Sequence, residues 1–140
     1  MQLIAEPLAA GPLSPLWIVS QRPRQHFLVR CPADCVDAVI AQAKRLAAPP
    51  VRLCECADLW RLPSDKAGTL LLNDVSALGL AEQIALYDWL GSGADAVRVI
   101  AITTAPLAPL VARGVFLEAL CHRLGAVQFD LAHGECASWK

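Results

Sequence analysis

No segment of this sequence approaches the roughly 18 to 20 unbroken apolar residues that a membrane-spanning helix needs. Its opening, Met-Gln-Leu-Ile-Ala-Glu-Pro, has neither the basic start nor the continuous apolar stretch of a secretory signal. Charge is scarce as well: 18% of the residues are charged, the net charge is −1 and the pI is about 6.3. The 12 Lys and Arg residues are scattered, apart from Arg22 and Arg24 near the N-terminus. The concentrated basic face that grips a nucleic-acid backbone is therefore missing. These absences lead to the expectation of a cytoplasmic protein with no membrane contact and no direct DNA binding.

What is abundant is apolar. Hydrophobic residues make up 56% of the 140 and the mean hydropathy is +0.45, enough for one domain with a substantial core. Parallel strands buried on both faces would account for this richness, and so would an apolar surface that meets a partner.

The six cysteines do not fall into a zinc pattern. Cys54 and Cys56 alternate on an expected strand and share one face, Cys31 and Cys35 are four apart, and Cys121 adjoins His122. Free Cys packs like a small apolar residue, and that accounts for most of them. Without a secretory signal no disulfide framework is expected. A cluster of Cys121, His122, His133 and Cys136 could be drawn as a metal site, and Cys121 with His122 as a nucleophilic pair. Sequence neighbours on a helix do not face each other, which removes the pair. No metal, no cofactor and no catalytic residue is assigned.

Apolar runs punctuated by Pro and Gly set out a βαβ-like layout. An N-terminal arm (1–25) contains "LWIVSQ" (16–21), a strand or short helix. The core (26–131) carries strands 26–31, 51–55, 69–74, 97–103 and 126–131. Its helices are 35–47, stopped by Pro49-Pro50, 80–91, closed by Gly91-Ser92-Gly93, a short one from Pro106 to Ala112, and 115–123 after Gly114. Helix 80–91 would place Leu80, Ile84 and Tyr87/Asp88 on the stripe that covers the sheet. A tail (132–140) follows.

Residues 68–75 read Gly-Thr-Leu-Leu-Leu-Asn-Asp-Val, a turn feeding a buried strand that ends in Asn73 and Asp74. Such a strand end is where nucleotide-hydrolysing folds place a Walker B acid pair, the first acid on Mg²⁺ and the next on the attacking water. The segments around it share one register. "GTLLLNDV" resembles the "GTLFLDEI" of the AAA+ domain of bacterial sigma-54 activators, and "LGLAEQIALYDWL" (78–90) resembles its "LPLxxQxxLLRVL". "VRVIAITT" (97–104) is similar to "VRVIAATN", and "LVARGVFLEALCHRL" (110–124) to "LVAEGRFREDLYYRL". The resemblance implies a three-layer α/β fold of the P-loop NTPase kind (RecA/AAA+ core), with a five-stranded, mostly parallel sheet.

It also implies where the family's working parts should stand, and most are altered. Residues 31–38, CPADCVDA, occupy the Walker A position, with Cys31, Asp34 and Val36 in place of the glycines and Asp37 in place of the lysine. Glycines let backbone N–H groups close on the phosphates while the lysine neutralises their charge. β-Branched Val36 disfavours positive φ, and a like-charge pair at ~4 Å costs about 4 kcal/mol even at an effective dielectric of 20.

At the Walker B position stand Asn73 and Asp74, and the sensor asparagine is Thr104. Of two finger arginines, one is Leu117 and the other Arg123. With the loop altered, Asp74 is better read as capping the following turn. Arg123 could instead pair with its helix dipole or a nearby acid. Compared with the family, no GAFTGA surface insertion is expected, nor a lid or Fis-like DNA reader after Leu131.

The resemblance then implies a degenerate ATPase, not an enzyme, acting as a regulatory or protein-interaction module in bacterial transcription. It would be a monomer or small oligomer, with an intact AAA+ activator as a partner. The alternatives are an ATP-binding or ATP-hydrolysing regulator with an atypical P-loop, and a decaying fragment with no remaining role.

Overall fold

The computed structural model describes residues 26–56, 62–63, 67–91 and 97–131. The arm, the "LWIVSQ" segment and the tail lie outside the described residues. Five strands, β1 (Phe27–Arg30), β2 (Val51–Glu55), β3 (Gly68–Asn73), β4 (Val97–Thr103) and β5 (Val127–Asp130), form one sheet in the order β2-β3-β4-β1-β5. Every pairing is parallel. Four helices, α1 (Val36–Leu46), α2 (Leu80–Gly91), α3 (Ala108–Ala112) and α4 (Glu118–Leu124), complete the described core.

The strands form where apolar runs can be covered on both faces. All seven residues of central β4 are buried, the pattern of a strand walled in by helices. Alternate side chains build two cores. Phe27, Val29, Leu71, Ile100, Ile102 and Phe129 pack with Val39 and Ala43 of α1. Leu28, Leu70, Leu72, Val99 and Ala101 pack with Leu86 of α2 and Leu120 of α4 on the opposite face. The Phe27 and Phe129 rings stack 5.7 Å apart across β1 and β5. This is the expected three-layer arrangement.

The Gly-Thr turn into β3 has a physical reason. Gly68 lies at φ +76, and a Cβ there would sit 2.2 Å from the Pro50 carbonyl oxygen, so only glycine fits. The N–H of Thr69 donates to that same carbonyl at 2.9 Å, and its hydroxyl donates to the Ala48 carbonyl at 2.9 Å. Together they fix where β3 starts beside β2.

Helix α2 is rotated from the expected stripe, of which Tyr87 alone packs against the core. Leu80 and Ile84 are 48% and 52% exposed, and the buried positions are Gln83, Leu86 and Leu90. Apolar residues stand on every side of this helix, so periodicity alone does not choose a face. Backbone groups do: Gln83 Nε2 donates to the carbonyls of Leu78 and Val115, each at 3.0 Å, and Oε1 accepts the Leu117 N–H at 2.8 Å.

One cysteine also departs from expectation. Cys31, Cys54 and Cys56 are buried free thiols, as packed small hydrophobes should be. Cys35 instead is disulfide-bonded.

Candidate functional site

The residues implied at the Walker A, Walker B and sensor positions stand where the strands end, whereas the implied finger arginine does not. The N–H of Cys31 donates to the Thr103 carbonyl at 3.0 Å, which extends the contact between β1 and β4 by one residue. Residues Ala33–Cys35 then make a single 3-10 turn, with the Cys35 N–H on the Pro32 carbonyl at 2.9 Å. Helix α1 begins at once, with Val36 at φ −57, ψ −47. Among the described residues positive φ occurs at Gly68, Asp74 and Gly114, so residues 31–38 contain none.

Asp34 and Asp37 are exposed, and Asp37 falls in the first turn of α1. A helix N-terminus carries partial positive charge that attracts anions. Asp37 places a carboxylate of the chain itself in that first turn. Val36 packs against the α1 core. Cys31 is 2% exposed, and burial, reinforced by the Asp34 carboxylate, pushes its thiol pKa up to about 11.

At the end of β3 the register sets Asn73 opposite Glu55, and Asn73 Nδ2 donates to Glu55 Oε1 at 2.8 Å. Asp74 adopts the left-handed conformation, φ 66, ψ 59, which Asp tolerates better than most residues. Its Oδ1 accepts from Ser76 Oγ at 2.9 Å, and its backbone carbonyl accepts the Ala77 N–H at 2.9 Å. The expected side-chain cap of the turn is not formed by Asp74, whose side-chain partner is the Ser76 hydroxyl. The Asn73 amide nitrogen and one Asp74 carboxylate oxygen are thus engaged within the chain.

Thr104 is exposed just past β4, and the turn there is made by its buried neighbour. Thr103 Oγ1 donates to the Ala105 carbonyl at 2.8 Å and accepts the Ala105 N–H at 3.2 Å. A cleft of about 310 Å³ opens nearby over β1 and β5, walled by Pro106 and Leu107 and floored by Arg30 and Asp130. Those two form an ion pair at 3.2 Å. Residues 31–38, Asn73, Asp74 and Thr104 do not line it.

Arg123 lies at the other end of the sheet, at the close of α4. Its guanidinium sits 4.3 Å from the Tyr87 ring centroid, and Nη1 donates to the Tyr87 carbonyl at 3.4 Å. The partner is thus an aromatic face and a carbonyl of α2, not an acid. His26, at the foot of β1, accepts the Val99 N–H through Nδ1 at 3.1 Å. Burial, with Arg123 and Arg98 nearby, holds its pKa below the usual 6.5.

The sheet is five-stranded and parallel in the order β2-β3-β4-β1-β5. Residues 31–133 match the family model described as the sigma-54 interaction domain. The chain belongs to that family. No curated protein sequence matches it.

Among solved structures, this sigma-54 interaction domain is similar to NtrX from Brucella abortus in complex with ATP. The TM-score is 0.66 at 18% identity, over 86% of this chain and 35% of that one. The NtrX complex with ADP gives a TM-score of 0.62 at 19% identity, over 78% and 32%. The P-loop NTPase domain of a sigma-54 transport activator from E. coli gives 0.56 at 16% identity, over 81% and 98%. Identities this low speak to the fold. The chain spans about a third of the NtrX chains it matches. Among the described residues no helix is long and apolar enough to cross a membrane.

Glu55, Ser76, Gln83 and Tyr87 hold the implied site residues or their elements in place, and sequence reasoning gave none of them that role. Ser76, two residues after Asp74, carried the local signal of a side-chain turn. The Glu55–Asn73 and Tyr87–Arg123 contacts depend on register and helix rotation, which leave no mark in the sequence.

Proposed function

We propose that this domain is a catalytically inactive member of its family and acts as a regulatory or protein-interaction module in transcription control. The observation that carries this is the path of residues 31–38: a 3-10 turn without left-handed residues, running straight into α1 with Asp37 in its first turn. A phosphate cradle needs inward-facing N–H groups and positive charge. This segment offers exposed carboxylates. Asp74, bonded to Ser76, has no held phosphate to act on, and a base works only on a substrate held in line.

The partner is an intact AAA+ activator. Arg123 is the residue that would be offered in trans, leaving its seat on Tyr87 to do so. Adding the domain to the ATPase domain of a sigma-54 activator from the same cell tests this. Turnover of that activator should change, and Arg123→Ala should abolish the change. Unaltered turnover would count against the proposal. The alternative, a regulator that binds ATP through an atypical loop, predicts saturable nucleotide binding by this chain alone.

A further inference from the structure

Cys54 and Cys56 stand two residues apart at the end of β2 and turn to the same face of the sheet, into the core beneath α2 and α4. Both are free thiols, 7% and 6% exposed, and their side chains are in hydrogen-bond contact with each other. The backbone holds them there: Cys54 pairs with Leu72 in the ladder, and the Cys56 N–H donates to the Asn73 carbonyl at 3.1 Å. We propose that Cys54 and Cys56 form a two-sulfur site for a soft monovalent metal ion of the copper(I) class.

Three considerations select this ligand. Soft thiolates favour copper(I), which accepts two donors in a line. Zinc takes four ligands in structural sites, and among the described residues no group of three His, Cys, Asp or Glu side chains is arranged to hold a metal. A disulfide is the remaining use of paired thiols. Strand residues two apart have Cα atoms roughly 6.6 Å apart, at about the outer limit of 6.8 Å for a disulfide. A disulfide at that separation lies at the strained end of its range, whereas an ion between the sulfurs gives a longer bridge.

The chemistry balances without oxidation. One copper(I) ion enters, two S–H protons leave to solvent, and two S–Cu bonds form. Both groups are free thiols, and a metal ion binds them by displacing their protons. Access comes from the edge position of β2, since edge strands open locally at low cost. The site does not depend on whether the domain binds nucleotide.

The test is an anaerobic titration of the chain, its Cys35 disulfide left intact, with copper(I) in competition with bathocuproine disulfonate. One equivalent should bind. Cys54→Ser and Cys56→Ser should each weaken it by about tenfold or more, while Cys31→Ser and Cys121→Ser leave it unchanged. Phenylarsine oxide gives a check on the unaltered protein: its As=O oxygen leaves as water with both thiol protons, and two As–S bonds form. A single adduct should map to the peptide containing Cys54 and Cys56. Copper retained in both serine variants would overturn the proposal. An adduct elsewhere, or a Cys54–Cys56 disulfide in the copper-treated sample, would do the same.

Discussion

Gln83 Oε1 accepts the backbone N–H of Leu117 at 2.8 Å, joining α2 to the start of α4 across 34 residues. The amide nitrogen of the same side chain donates to the carbonyls of Leu78 and Val115. A fully buried Gln thereby satisfies three backbone groups in a low-dielectric interior, where an unpaired group is costly. Gln83→Leu keeps the volume and removes all three bonds. Leaving buried groups unsatisfied should lower unfolding free energy by about 3 kcal/mol, seen as a lower urea midpoint. The exposed substitution Ala85→Ser should stay within about 0.5 kcal/mol.

Asp74 sits in the left-handed region at φ 66, where a residue with a Cβ is strained and glycine is not. Asp74→Ala and Asp74→Gly both lose the Ser76 contact, so their difference isolates the backbone. The glycine variant should be the more stable by about 1 kcal/mol, read from paired denaturation curves. Equal stabilities would mean that the turn rearranges.

His26 makes stability depend on pH with a definite sign. Its folded pKa lies below the usual 6.5 because of burial, then the charges of Arg123 and Arg98. The unfolded chain therefore binds the proton more readily, so His26 contributes stability above about pH 6.5 that is lost as pH falls below it. Protonation at Nδ1 would also end its acceptance of the Val99 N–H. Urea midpoints between pH 7.5 and 5.5 should fall more steeply for the natural chain than for His26→Gln. Parallel curves would exclude this histidine as the source.

Self-association should be weak. On the proposed loss of nucleotide binding, a ring of this domain lacks a ligand that would stabilise it by mass action, and Arg123 is seated on Tyr87. Light scattering should report a monomer or small oligomer, with or without Mg²⁺-ATP. An autonomous hexamer would contradict this.

Much of the fold was legible because it rests on buried apolar runs bounded by Pro and Gly. Strands 51–55 and 97–103 and helix 80–91 coincide with β2, β4 and α2. The helix expected from residue 115 starts at Glu118 instead. Val115 and Leu117 give backbone groups to Gln83, and Leu117 stays extended at φ −71, ψ 127. The rotation of α2 was illegible for the same reason: a polar residue on an otherwise apolar helix faces inward because distant backbone groups need it.

The positions of the implied site followed from motif register alone, since parallel strands deliver their C-terminal ends to one lip. What each residue does there was less legible. The left-handed Asp74, its Ser76 partner and the Glu55 bond to Asn73 arise from turn geometry and a cross-strand pairing 18 residues apart. The seat of Arg123 on Tyr87 depends on how two helices pack.

The central claim is that residues 31–38 no longer cradle a triphosphate. Isothermal titration of the folded domain with Mg²⁺-ATP tests it most directly. The titration should show no saturable heat up to millimolar nucleotide, in line with the carboxylates of Asp34 and Asp37 and the αR backbone of Val36. Saturable binding with one-to-one stoichiometry, altered by substitution at Asp37, would contradict it.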